Sequence, residues 1–122
     1  KVLYLLFHLN HLRFTNYFYY KIHFENIKDK TFYFASTKSK HTYAEVNYED
    51  GCFIVFGKES YGLKETILKA NYDTCIRVPM KSEARSLNLA NTVAIVAYEA
   101  MRQNNFKDLQ NFGELTGRSE NE

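Results

Sequence analysis

Two short stretches hold the residue types that can do chemistry. The first is Phe56–Leu63, FGKESYGL; the second is Ile76–Leu89, IRVPMKSEARSLNL. Arg85 offers a planar fork of N–H donors that suits phosphate oxygens, and Asn88 beside it can reach phosphate or ribose. Ser86 presents a hydroxyl and a backbone amide where a helix should begin. Ser86 or Asn88 can accept from the free N–H groups there, and for Ser86 an N-cap is compatible with a ligand role. Gly57 follows an apolar run and leaves its backbone open to close approach. Glu59, two residues on, suits the opening turn of a helix through the dipole.

Other candidates carry less. His8 and His11 are three apart and would share a helix face, but no third ligand stands near them, so a metal is not expected. Cys52 and Cys75 are too few and too widely spaced for a metal cluster or a disulfide framework. They are expected to be buried free thiols in a reducing cytoplasm.

Positioning these residues requires strands that end beside one another. Thr31–Ala35, TFYFA, is rich in aromatic and β-favouring residues and reads as a strand. Ser36–His41 is a polar loop leaving it. Asp50-Gly51 marks a turn, because glycine takes positive φ at little cost. Phe53–Phe56, FIVF, is four apolar residues in a row, as expected for a strand covered on both faces of a parallel sheet. Leu63–Ala70 should be a short helix with Leu63, Ile67 and Ala70 inward. Cys75–Val78 is the next strand, and Pro79 ends it by lacking a donor and holding Val78 extended. Lys81–Arg85 is a charged loop. From Leu89 the apolar residues Leu89, Val93, Val96 and Ala100 recur at helical spacing, with Asn91, Tyr98, Glu99 and Arg102 on the other side. The alternation predicts an α/β domain with ligand at the C-terminal ends of the strands, where Ala35, Gly57 and Val78 release their loops. A flat base and a ribose would find backbone amides and an apolar slot there.

The 122 residues suit one domain, and 45% hydrophobic with 25% charged residues is ordinary soluble composition. A net charge of +2 permits nucleic-acid binding without arguing for it. No apolar run is long enough to span a bilayer, and the N-terminus lacks a signal peptide's layout. Residues 1–24 contain no Asp or Glu and hold eight of the 20 aromatic residues. A surface that aromatic should pack on the core or on a partner. A dinucleotide-binding domain is not expected, since no G-x-G-x-x-G follows a strand. Gly113–Glu122 reads as a polar, frayed tail.

The two stretches together resemble the last motifs of the SPOUT superfamily, the α/β-knot RNA methyltransferases. The blocks FG-x-E-x-x-GL, IR(I/V)PM, RS(L/M)NL(S/A)N and YEA-x-RQ occur in order, as in TrmL-like tRNA 2′-O-ribose methyltransferases, from about Thr31 to Phe106. The resemblance implies a parallel-sheet fold with a C-terminal trefoil knot, a homodimer, and methyl transfer from S-adenosylmethionine to the ribose of the wobble nucleotide of tRNA without metal. It implies cofactor contacts at Ala35, Gly57, Glu59, Val78, Met80, Ser86 and Leu87, and substrate contacts at Arg85, Asn88 and Tyr98. It places the long helix, with Arg102 and Tyr98, at the dimer interface.

The family's first motif, N-x-G-N-x-x-x-R, supplies the arginine for deprotonation, and this sequence lacks it. Asn10, Arg13 and Asn16 do not reproduce the spacing, and no glycine precedes Gly51. The catalytic residue is therefore not assigned. The expected organisation is an atypical aromatic segment at 1–30, a methyltransferase domain at 31–112 that is N-terminally incomplete, and a tail at 113–122. The chain is expected to be a truncated enzyme or a module that keeps the fold without catalysis.

Overall fold

The computed structural model describes residues 5–8, 13–16, 30–58, 61–84 and 87–119. Its sheet has five strands: β1 Leu5–His8, β2 Arg13–Asn16, β3 Phe32–Ala35, β4 Phe53–Phe56 and β5 Cys75–Ile76. Their order is β2-β1-β4-β3-β5. The three strands read from the sequence, β4, β3 and β5, are mutually parallel, with Phe32 opposite Phe53 and Ala35 opposite both Phe56 and Ile76. β1 lies antiparallel to β4, Leu5 opposite Phe56, and β2 lies antiparallel to β1. Part of the aromatic N-terminal segment thus extends the parallel sheet along one edge. His8 closes a strand rather than sharing a helix face, and His11 lies outside the described residues.

Strand period 2 sorts the core into two layers. Ile54 and Phe56 of β4, Tyr33 of β3 and Ile76 of β5 face one way, against Val93, Val96, Ala97, Ala100 and Met101. Those five belong to helix α2, Leu89–Gln103. Phe53, Val55 and Cys75 face the other way with Phe32 and Phe34, against Leu63 and against Leu68 of helix α1, Glu65–Ala70. All four residues of β4 are buried, as their unbroken apolar run requires. The rings of Phe32 and Phe53, cross-strand partners, stack with centroids 5.0 Å apart.

The inward face of α1 differs from expectation. Leu63 is buried ahead of the helix, Leu68 is its buried residue, Ile67 is half-buried and Ala70 is exposed. Helix α2 keeps the expected stripe and widens it with Ala97 and Met101, while Leu89 is half-buried. Asn88 is its N-cap, the side-chain oxygen accepting from the Ala90 N–H at 2.8 Å. Gly51 has the positive φ, 75°, that the turn after Asp50 requires. Residues 110–119 have no regular secondary structure, and all ten are exposed.

β5 is two residues shorter than the sequence suggests. Beyond Ile76 the chain exchanges β3 for the loop that follows β3: Arg77 donates to the His41 carbonyl at 2.9 Å, and Tyr43 donates to the Arg77 carbonyl at 2.8 Å. Ser39, buried, fastens that loop. Its hydroxyl donates to the Cys75 carbonyl at 2.6 Å and accepts from the His41 N–H at 3.0 Å. Removing it strands a buried carbonyl and an amide, so Ser39→Ala is expected to cost about 1–3 kcal/mol, read as a lower urea midpoint with an unchanged slope.

Cys52 and Cys75 are buried free thiols, as expected. Burial pushes the Cys52 thiol up to about 12, and burial also raises Cys75 and the Tyr33 and Tyr48 hydroxyls. The folded chain therefore keeps protons that the unfolded chain releases above about pH 8.5. Bound protons then exceed those of the unfolded state, so stability falls as pH rises from there toward the folded values. Urea midpoints at about pH 7.5 and about pH 10 test this, the second being lower; an equal or higher midpoint would contradict it.

Candidate functional site

The C-terminal ends of the three parallel strands open on one cavity of about 300 Å³. Ala35 and the loop residues Ser36, Thr37 and Lys38 form the β3 wall. Phe56, Gly57, Lys58, Tyr61, Gly62 and Leu63 form the β4 wall, and Ile76, Arg77, Val78 and Met80 the β5 wall. Leu87, Leu89, Thr92 and Val96, leading into and along α2, close the fourth side. The loops meet because parallel strands all end at the same edge.

Five residues expected at the site, Ala35, Gly57, Val78, Met80 and Leu87, line this one cavity. Glu59, Arg85 and Ser86 lie outside the described residues. Asn88 is committed to capping α2 and does not line the cavity, and Tyr98 projects from the outer face of that helix, 60% exposed. Arg102 is engaged within its own helix, Nε and Nη2 donating to Glu99 at 2.9 and 2.8 Å, and this hydrogen bonding holds the Glu99 carboxyl below its usual range.

Gly57 has a reason that the sequence does not reveal. A Cβ there would lie 2.2 Å from the Gly62 backbone carbon and 2.6 Å from both the Gly62 oxygen and the Leu63 nitrogen. The loop doubles back onto its own start, bridging Lys58 to Gly62, with the Gly62 N–H donating to the Lys58 carbonyl at 2.8 Å. Gly62 makes this return possible with φ of 64°. The missing side chain admits the chain's own backbone first, and the tight loop then forms the cavity wall.

The site is also more cationic than expected. Lys38, Lys58 and Arg77 line it, with no carboxylate among the described lining residues. Lys38 Nζ bonds Glu65 at 2.7 Å across the solvent-exposed rim, which lowers the Glu65 pKa. Lys58 and Arg77 have no carboxylate partner among the described residues. Ser36, Thr37, Lys38, Lys58, Tyr61, Arg77 and Thr92 were not singled out by the sequence. For all but Thr92, which lies on α2, the signal was nearness to one of the three strand ends.

A cavity of this size, with apolar walls from Phe56, Ile76, Val96 and Leu89 and a cationic rim, fits a flat base and ribose with an anionic end. No group of three or more metal-ligating side chains occurs among the described residues, and no helix among them is long and apolar enough to cross a membrane.

Residues 6–98 match the SpoU rRNA Methylase family. The "Putative tRNA (cytidine(34)-2'-O)-methyltransferase" of Listeria monocytogenes serotype 4b is 45% identical over 86 residues, 68% of this chain and 51% of that protein. The tRNA (cytidine(34)-2'-O)-methyltransferase of Escherichia coli K12 is 38% identical over 85 residues, 69% of this chain and 54% of that protein. The crystal structure of a "putative RNA methyltransferase from Bacillus anthracis" superposes with a TM-score of 0.66 at 37% identity, covering 75% of this chain and 57% of that one. The chain spans about half the length of the curated relatives it matches.

Proposed function

The chain belongs to the SpoU rRNA Methylase family, and from that premise we propose that it forms the cofactor-binding part of an S-adenosylmethionine-dependent tRNA 2′-O-ribose methyltransferase acting at the wobble position. The observation that carries this reading is the convergence of Ala35, Gly57, Val78, Met80 and Leu87 on a single cavity at the strand ends. The names of the matching proteins, cytidine(34) 2′-O-methyltransferases, support the substrate.

S-adenosylmethionine would supply a methyl group on a sulfonium, whose leaving sulfide needs no protonation. The protein's part is positioning. Phe56, Ile76, Val96 and Leu89 exclude water from the base and ribose, and Gly57 keeps the wall loop closed. Arg77, without a carboxylate partner among the described residues, would offer positive charge to the cofactor's carboxylate, while Lys38 is paired with Glu65. Glu59 and Ser86 are assigned to the cofactor loops, Arg85, Asn88 and Tyr98 to tRNA. The base that removes the ribose proton is not among the motifs of this chain. The unit is residues 31–112 with strands β1 and β2 added at its sheet edge, knotted at its C-terminal end and working without metal in the cytoplasm. The outer face of α2, where Ile95 and Tyr98 are exposed, serves a homodimer.

One sequence fact favours a second reading, a module that binds cofactor without transferring methyl: N-x-G-N-x-x-x-R does not occur in these 122 residues. Calorimetric titration of S-adenosylmethionine, paired with a radiolabelled methyl-transfer assay on tRNA, separates the two. Saturable binding with transfer supports the enzyme, and binding without transfer supports the module. No binding by a folded chain overturns both.

A further inference from the structure

We infer that Tyr61 is a stacking platform for a nucleotide of the RNA substrate at the cavity mouth, and that Lys58 beside it contacts a phosphate. The inference rests on the methyltransferase reading and extends it to the RNA side of the site. Tyr61 lines the cavity, yet it is 86% exposed. Among the described residues its ring has no stacking partner and its hydroxyl no hydrogen bond. Lys58 and Gly62, on either side of Tyr61, are joined as a bridge, and the backbone at Gly62 is wedged against Gly57.

The motif FG-x-E-x-x-GL leaves position 61 open, so the shared loop geometry does not demand an aromatic there. A tyrosine at an open position belongs to what the loop meets, and its neighbours say what that is. Lys58 and Tyr61 both line the rim and are both exposed, and Lys58 has no carboxylate partner among the described residues. An exposed ring next to a cation is the pairing that holds single-stranded nucleic acid: the ring stacks on a base and the cation takes a phosphate. If the cavity interior holds the sulfonium donor, a base stacked on Tyr61 would sit at the mouth, where a ribose could reach inward.

Fluorescence anisotropy with a labelled anticodon stem–loop RNA tests this, alongside calorimetry with S-adenosylmethionine. Tyr61→Ala is expected to weaken RNA binding by about tenfold or more, while Tyr61→Phe, which keeps the ring, stays within about twofold. Lys58→Gln should reduce the slope of affinity against salt by about one phosphate contact, and Tyr61→Ala should leave that slope alone. Calorimetry with S-adenosylmethionine on Tyr61→Ala separates a ring that stacks on RNA from a ring that covers the cofactor. Undiminished RNA binding by Tyr61→Ala overturns the inference, as does a loss of cofactor affinity with RNA binding intact, which would put the ring over the cofactor. Neither result touches the methyltransferase reading. That reading falls instead if the unsubstituted chain fails to bind S-adenosylmethionine. Because the ring is exposed, the variant should melt with the parent, and a lowered midpoint would mark the effect as structural and overturn the platform.

Discussion

Gly57→Ala is expected to abolish S-adenosylmethionine binding and to destabilise the fold by about 3 kcal/mol or more. The added methyl carbon would lie 2.2 Å from a backbone carbon and 2.6 Å from a backbone oxygen and nitrogen. No rotamer can relieve this, because every atom it meets is main chain. Either the Gly62–Leu63 segment moves away or strand β4 bends. Both open the wall of the cavity, and the first also draws Leu63 out of the layer it shares with Phe53, Val55 and Leu68. Urea unfolding measures the loss of stability, and calorimetry the loss of binding. Two other glycines serve as controls. Gly62→Ala meets nothing within 4 Å and carries only the cost of its positive φ, about 1 kcal/mol. Gly113→Ala meets nothing and has no positive φ, so it should be silent. A Gly57→Ala chain as stable and as competent as the parent would show that the loop is free to open.

The second large effect separates the two layers. Phe56→Ala and Phe53→Ala each remove a ring that is 1% exposed from the same strand, and each should cost about 3–5 kcal/mol. Their consequences for the site differ, because successive residues point to opposite faces. Phe56 packs toward α2 and lines the cavity, whereas Phe53 packs toward α1 and does not. At low temperature, where enough folded protein remains, Phe53→Ala should bind S-adenosylmethionine with near-parental affinity while Phe56→Ala should not. Equal binding by both would mean that the base does not rest on Phe56.

Much of this arrangement is legible in the residues because the signals are local. Four apolar residues in a row, FIVF, can be covered only on both faces, and they are. The spacing of Val93, Val96 and Ala100 fixes one face of α2, and Asn88 caps that helix by reaching two residues along. Once three strands are parallel, their ends must share an edge, so Ala35, Gly57 and Val78 come together without further information. These features depend on neighbours within a turn or a strand.

What the residues could not announce depends on parts of the chain that are distant in sequence. Ser39 looks like one polar loop residue among several until Cys75, 36 residues away, presents it with a buried carbonyl. Leu68 rather than Ala70 faces the core because the layer it enters, between Phe53 and Val55, is set by the sheet and not by the helix. β5 stops at Ile76 because its neighbour β3 has turned away and another loop has taken its place. The addition of β1 and β2 along the antiparallel edge follows from an unpaired side of β4, which no local pattern records. The cationic rim exists only where Lys38, Lys58 and Arg77 are brought to one opening from three loops. That strands β3, β4 and β5 end at one edge beneath an amphipathic helix is written in the residues, because hydrophobic period acts over a few residues. Which backbone presses on Gly57 depends on how its own loop folds back, and which charges gather at the mouth depends on three loops, distant in the chain, closing on one opening.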